Sequence, residues 1–320
     1  MSSVTSTDIS GHTSSARRHR LEDRGFVGLA RLSAAIVVLT LVAVLVALAF
    51  GAAPAFHAFG PAFVWTQDWS PAKEIFGAAA PIYGTLVTSA IAMVIAVPLG
   101  FGIAIFLTEL CPEALRRPIG TMIELLAGIP SIIFGLWGFF VLAPIMQSTV
   151  QPFLNGTLGQ VPWIGMLFRG APYGVGMLTA GIVLAIMALP FITAITRDVF
   201  STVPTLLRES AYGMGMTRWE VVRRIVIPYC RRGLVGGVML GLGRALGETM
   251  AVTFVIGNSH RIAASLLAPA TTISASIANE FSEATSDLYT SSLIALGLIL
   301  SVITFLVLGL ARWMIARGEN

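Results

Sequence analysis

Three ionisable residues interrupt the longest apolar stretches of the chain. Arg244 and Glu248 lie within 233–257, and Glu124 lies within 119–146. If those stretches sit in hydrocarbon, each charge costs several kcal/mol unless it is paired or faces a cavity. Arg244 and Glu248 are four residues apart on one helix face and can pair with each other. At about 100° per residue they share that face with Gly233, Gly237 and Gly241, whose spacing lets two helices approach closely. The pair therefore faces a helix interface or a central pathway. An arginine so placed suits a tetrahedral oxyanion, because its guanidinium matches paired oxygens and stays charged when desolvated. Glu248 would hold Arg244 and weaken its grip, letting the anion leave again. The competing reading is a salt bridge that only fixes helix packing. Glu124 reads as a pathway or packing partner for a basic residue.

The elements that must position these charges follow from composition. The chain has 320 residues, 56% hydrophobic and 11% charged, with mean hydropathy +0.84. Soluble domains carry about 25% charged residues, so this chain cannot cover a water-exposed surface of its size. A bilayer core about 30 Å thick needs roughly 20 apolar residues of helix. Six stretches qualify: about 28–50, 79–107, 119–146, 172–196, 233–257 and 289–311. They do not alternate as barrel strands would, so the fold is an all-α polytopic membrane protein of six transmembrane helices. The N-terminal tail, the 109–118 and 197–232 loops and the C-terminus hold sixteen arginines, whereas the loops between hold Lys73, Arg169 and Arg261. Basic loops stay inside, which places both termini in the cytoplasm of a cell whose membrane the chain crosses repeatedly. Bases that flank spans are not the clustered surface of a nucleic-acid binder. Residues 1–27 read as a disordered tail, 28–78 as the first span with an external segment anchored by Trp65 and Trp69, and 79–318 as the core transmembrane domain.

The segment 197–232 is too polar to span and too patterned to be a linker. Pro204 suits the first turn of one short helix, and Gly213 and Gly215 supply its stop. Thr217-Arg218-Trp219-Glu220 is a capping box for a second short helix, closed by Ile225, Ile227 and Pro228. On physics alone this pattern equally fits a basic amphipathic hairpin resting on anionic lipid.

A resemblance decides between the two. Glu209-Ser210-Ala211, then Gly215, then Ile225-Val226-Ile227-Pro228 resembles the EAA loop of bacterial ABC-importer permeases, with Ser in place of the middle Ala. In that family the loop is the coupling helix that docks on the ATPase. Gly241 to Val252, reading GLGRALGETMAV, resembles the signature of phosphate-importer permeases of the PstC type. Leu126-Ala127-Gly128-Ile129-Pro130-Ser131, Pro98-Leu99-Gly100 and Ala278-Asn279-Glu280 match it too, so the similarity covers roughly 80–318. It implies a type I ABC importer permease fold with cytoplasmic coupling helices. It also implies a PstA-like second permease, a PstB-like cytoplasmic ATPase dimer and a PstS-like external phosphate-binding protein, with Arg244 and Glu248 acting in phosphate movement. The expected function is a permease subunit that forms the pathway for inorganic phosphate and couples it to ATP hydrolysed elsewhere.

The chain itself is not expected to be an enzyme and offers no catalytic or metal site. A P-loop needs G-x-x-x-x-G-K-[ST], and the single lysine, Lys73, lacks that setting, so no cofactor is expected here and ATP belongs to the partner. The histidines, His12, His19, His57 and His260, make no metal-ligand spacing. Two alternatives remain: an ABC permease for molybdate, sulfate or phosphonate, and an ion-coupled secondary transporter.

Overall fold

The computed structural model describes the backbone from Ser10 to Arg317 and side chains from Gly25 to Trp313. Its two compact units are 1–50 and 51–320. The long helix α1, Ser10–Phe59, begins inside the segment that composition assigns to a disordered tail; Met1–Ile9 lie outside the described residues. Extending a helix already nucleated by an apolar run adds one bond per residue fixed, which low hydrophobicity alone does not forbid. Within the first unit, large apolar side chains such as Val37, Leu39 and Phe50 are exposed.

In the second unit α2 (Ala79–Leu110), α4 (Ser131–Gln160), α5 (Met177–Ser201), α7 (Arg218–Gly247) and α10 (Asp287–Arg317) are the long helices. With the apolar part of α1 they make six helices, among the described residues, that are long and apolar enough to cross a membrane. Shorter helices join them: α3 (Glu113–Ala127), α6 (Thr205–Gly213), α8 (Met250–Val255) and α9 (Ile273–Glu280). Helices α2 and α5 pack along most of their lengths, and α7 lies against both. Their core is fine-grained: Ala92, Ala96, Ala185 and Ala188 are buried among Leu184, Ile192 and Val255. Small residues allow the close backbone approach that substitutes, in lipid, for the missing hydrophobic drive between helices.

The glycine stripe of α7 has one counterpart. A Cβ on Gly233 would fall 2.6 Å from Val199 Cγ1, one on Gly237 2.9 Å from Ile195 Cγ2, and one on Gly241 2.8 Å from Ile192 Cγ1. All three neighbours belong to α5, read in reverse order, so α7 and α5 run antiparallel in contact. Gly236, one residue off the stripe, meets nothing within 4 Å. Gly233→Ala should therefore destabilise by about 1–3 kcal/mol through overpacking. Gly236→Ala should be neutral or stabilise by up to about 1 kcal/mol through helix propensity. Melting temperatures of the two purified variants check this; equal shifts would remove the close α5–α7 approach.

Two expected boundaries move. The third stretch is not one span from 119 to 146: α3 ends at Ala127, and a new helix starts at Ser131 after Gly128-Ile129-Pro130. Proline disfavours the α conformation in the residue before it and lacks the N–H a continuing helix needs, while its own φ suits a helix start. Glu124 thus lies on α3, before the spanning helix rather than within it. The second short helix of the 197–232 segment does not close at Pro228 either. From Arg218 the chain stays helical to Gly247, with a wide π turn at Val222–Val226 that accommodates Pro228 without breaking the rod. Proline is accommodated within α1 too. The Ser291 hydroxyl accepts from the Ala55 N–H (3.0 Å) and donates to the Gly51 carbonyl (2.8 Å), next to Pro54. Side chains re-satisfy freed backbone groups in this way.

Candidate functional site: a membrane arginine between two broken helices

Two of the sequence segments that carry the family resemblance form helix breaks. Residues 128–130 separate α3 from α4, and Glu248-Thr249 separates α7 from α8. The pieces after the breaks meet: a Cβ on Gly135 of α4 would lie 3.0 Å from Ala251 Cα and 3.1 Å from the Met250 carbonyl of α8. Gly135 therefore permits backbone-to-backbone contact. Discontinuous helices of this kind free backbone groups at depth and are tolerated where they line a cavity or are buried in protein.

Arg244 occupies the last turn of α7, just before the break, where a cation is favoured by the helix dipole. Its guanidinium carbon lies 4.3 Å above the centroid of the Phe191 ring on α5. Its Nε is buried without a hydrogen-bond partner. Cation–π contact is worth about 0.5–2 kcal/mol and holds the guanidinium plane without occupying its N–H donors. Among the described residues no carboxylate lies within ion-pair distance of Arg244. The pairing expected with Glu248 is not formed, because the helix ends at Gly247. Glu248 takes up extended φ and ψ of −71° and 129°, and its Oε1 accepts from the Ala251 N–H at 3.3 Å, tying the break to α8. Four-residue spacing brings side chains together only while the helix continues.

Glu124 does pair with a basic residue. Arg197 Nη2 on α5 lies 2.6 Å from Glu124 Oε1 and 3.3 Å from Asp198 Oδ1. Gly120 leaves room for it: a Cβ there would fall 2.8 Å from Arg197 Nη1. A second pair, Arg208 Nη1 with Glu109 Oε1 at 2.8 Å, binds α6 to the end of α2. Glu109 is 6% exposed and Arg208 19%. Glu109 was hidden from sequence reasoning because it sits at the edge of a span, where a carboxylate needs no explanation.

The 197–232 segment presents a defined face. Pro204 immediately precedes α6, Ala211 is fully buried, and Gly215 has φ +84°, a left-handed conformation that ends the helix. Gly213 remains helical. Thr217 and Glu220 form the reciprocal capping box. Glu209 and Ser210 are exposed, as are Leu206, Met214 and Trp219 of the same segment, these three by 60–70%. Ile225 lies in the π turn and Pro228 at the start of the straight part of α7, with Ile225 against the cluster of Ala211, Val221 and Val226.

At the other end of the bundle a carboxylate gathers three side chains. Glu280 of α9 accepts from Trp69 Nε1 (2.7 Å) and Tyr289 Oη (2.6 Å), and its other oxygen lies 2.7 Å from His260 Nε2. The Trp69 and His260 rings stack at 4.9 Å, 7° from parallel. Trp69 is therefore a clasp residue rather than a headgroup anchor, whereas Trp65 is 82% exposed. Burial alone would raise the Glu280 pKa, but the hydrogen bonds from His260, Tyr289 and Trp69 and the charge of His260 outweigh it, and the net shift is downward. A depressed carboxylate stabilises the fold above its unfolded pKa, and that contribution is lost as pH falls through the folded value, here below 4.5. Glu280→Gln should cost about 1–2 kcal/mol at pH 7, the value of a charged hydrogen bond reduced for partial exposure. Thermal melts of both proteins should converge as pH drops below 4.5; a gap unchanged down to pH 3 would remove the charged clasp.

Comparison with known proteins agrees with this architecture. Residues 96–318 match the model of the family described as binding-protein-dependent transport system inner membrane component. The chain is 62% identical over 308 residues to the phosphate transport system permease protein PstC of Mesorhizobium japonicum, covering 96% of this chain and 94% of that one. It is 55% identical to the protein so named from Pasteurella multocida, covering 94% of each. A crystal structure of a bacterial alginate ABC transporter in complex with an alginate pentasaccharide-bound periplasmic protein shares the fold. Its TM-score is 0.61 at 18% identity, covering 90% of this chain and 95% of that one. The chain belongs to the binding-protein-dependent transport system inner membrane component family and, within it, to the PstC group of permeases.

Proposed function

We propose that this chain is the membrane-spanning permease subunit of an ATP-driven importer of inorganic phosphate. It would work beside a second permease, a cytoplasmic ATPase dimer and an external binding protein that delivers the anion. The observation that carries the reading is Arg244: a guanidinium beside the break between α7 and α8, held over Phe191, with no carboxylate partner among the described residues and a buried, unpartnered Nε. A charge left unsatisfied in a membrane bundle awaits a counter-ion, and guanidinium geometry suits paired phosphate oxygens. The PstC names of its relatives supply the substrate.

With the arginine-rich end inside, both termini lie in the cytoplasm and the face around Glu209, Leu206 and Trp219 meets the ATPase. Closure of the ATPases moves α6. The buried Ala211 and the Arg208–Glu109 pair pass that movement to α7 and α2. The continuous helix from Arg218 to Gly247 links the docking face to Arg244 as a single rod. Glu124, fixed to Arg197, holds α3 against α5 near the inner mouth. ATP stays with the partner, and this chain binds no cofactor of its own.

The reading is tested by uptake of labelled phosphate at low concentration, in cells lacking and then regaining the gene, with excess sulfate and molybdate as competitors. Gene-dependent uptake that resists both competitors is expected. Competition by another oxyanion would transfer the same pathway to that substrate, since one arginine does not separate tetrahedral anions.

A further inference from the structure

Three arginines from three helices converge at the arginine-rich end of the bundle, far in sequence from Arg244. Arg116 of α3, Arg197 of α5 and Arg208 of α6 line a pocket of about 230 Å³, together with Thr108, Asp198 and Ser201. That is smaller than the 300–1,000 Å³ typical of drug-sized ligand sites and suits a small ion. The walls carry three guanidiniums against one carboxylate; Glu109 and Glu124, which hold Arg208 and Arg197, are not part of the lining.

Each guanidinium has five N–H donors. Arg116 uses one on the Thr108 carbonyl, at 3.1 Å. Arg197 directs Nη2 at Glu124 and Asp198, and Arg208 directs Nη2 at the Phe200 carbonyl. Arg208 Nε is buried with no partner, and among the described residues Arg116 has no carboxylate at all. The ion pairs thus fix two guanidiniums in place, and the contacts named use only part of the donors that the three arginines carry. An anionic oxygen entering a pocket walled by three guanidiniums would take up donors that remain free.

We infer that this pocket is a second anion site, which takes a phosphate-class oxyanion at the arginine-rich membrane surface. The oxygen donor is either the headgroup of an acidic phospholipid or free inorganic phosphate; both present the same charged oxygens to the same arginines. Arg244 is not part of the pocket lining, and Arg116, on which the test rests, has no part in the transport reading.

The test uses the full chain, with the subunits that co-purify with it, in the Arg244→Gln background, so that binding at the pathway arginine does not contribute. One arm titrates inorganic phosphate into nanodiscs of phosphatidylcholine alone. The other follows phosphatidylglycerol retained per chain by native mass spectrometry from nanodiscs that contain it. One of these probes should bind, and Arg116→Gln should weaken that binding by about 10- to 100-fold, the loss expected for one charged hydrogen bond. Arg116 is exposed, so the variant should elute and melt as the parent does. Phosphate binding would identify the free anion as the occupant, and lipid retention the headgroup. No binding of either probe, or binding unchanged in Arg116→Gln, would overturn the site. A failed uptake assay with an intact pocket would separate this inference from the transport proposal.

Discussion

Arg244→Gln should reduce labelled-phosphate uptake by about 100-fold or more while leaving the chain in the membrane at its normal level. One charge-assisted hydrogen bond to an anion is worth about 1.5–3 kcal/mol, or roughly 10- to 100-fold. Here the loss should reach the upper end, because no water at that depth replaces the missing donor. Assembly should survive, since Arg244 makes no ion pair among the described residues and glutamine can still lie over Phe191. Arg244→Lys should recover little, because an ammonium lacks the planar fork that stacks on the ring and matches paired oxygens. Glu248→Gln provides the contrast. Its carboxylate accepts from the Ala251 N–H, and an amide oxygen can do the same. Uptake should therefore stay within about threefold of the parent, about 0.7 kcal/mol. Uptake normalised to immunoblot signal checks both. Normal uptake by Arg244→Gln would reduce the arginine to a packing role, and a Glu248→Gln defect as large as that of Arg244→Gln would restore a functional pairing.

Glu109→Ala should be the most destabilising single change outside the core. Its carboxylate, 6% exposed, lies 2.8 Å from Arg208, which is 19% exposed. Removing one member of a buried pair costs about 3–5 kcal/mol, because the survivor keeps its desolvation without its partner. The lower end, about 3 kcal/mol, is expected, because Arg208 retains the Phe200 carbonyl at 2.6 Å. Thermal melts of the single variants and of Glu109→Ala with Arg208→Met form a cycle that isolates the pair. The double variant should recover much of the loss, as apolar replacements of buried pairs do. Strict additivity of the two single costs would show that the pair carries no coupling between α2 and α6.

Much of this was legible from residue order. Six spans followed from the length of apolar runs, because helix is the only open-ended structure that satisfies its own backbone in lipid. The stop at Gly215 and the capping box at Thr217 and Glu220 were readable because both are local, set by neighbours within a few residues. The stripe of Gly233, Gly237 and Gly241 announced a close helix contact, though not that α5 supplies Val199, Ile195 and Ile192 to fill it.

What tertiary structure decided is where the charges go. Spacing put Arg244 and Glu248 on one face, but a helix that ends at Gly247 sends the two side chains apart. That ending depends on α8 packing against α4 beyond it, a contact between residues more than a hundred positions apart. Glu124 and Glu109 likewise find their partners, Arg197 and Arg208, on other helices, and Glu280 gathers Trp69 from far away in sequence together with the nearer His260 and Tyr289. A sequence lists the charges that lipid will not accept alone. Which of them meet depends on how the helices pack, and packing is set by the small residues and breaks that bring distant backbones together.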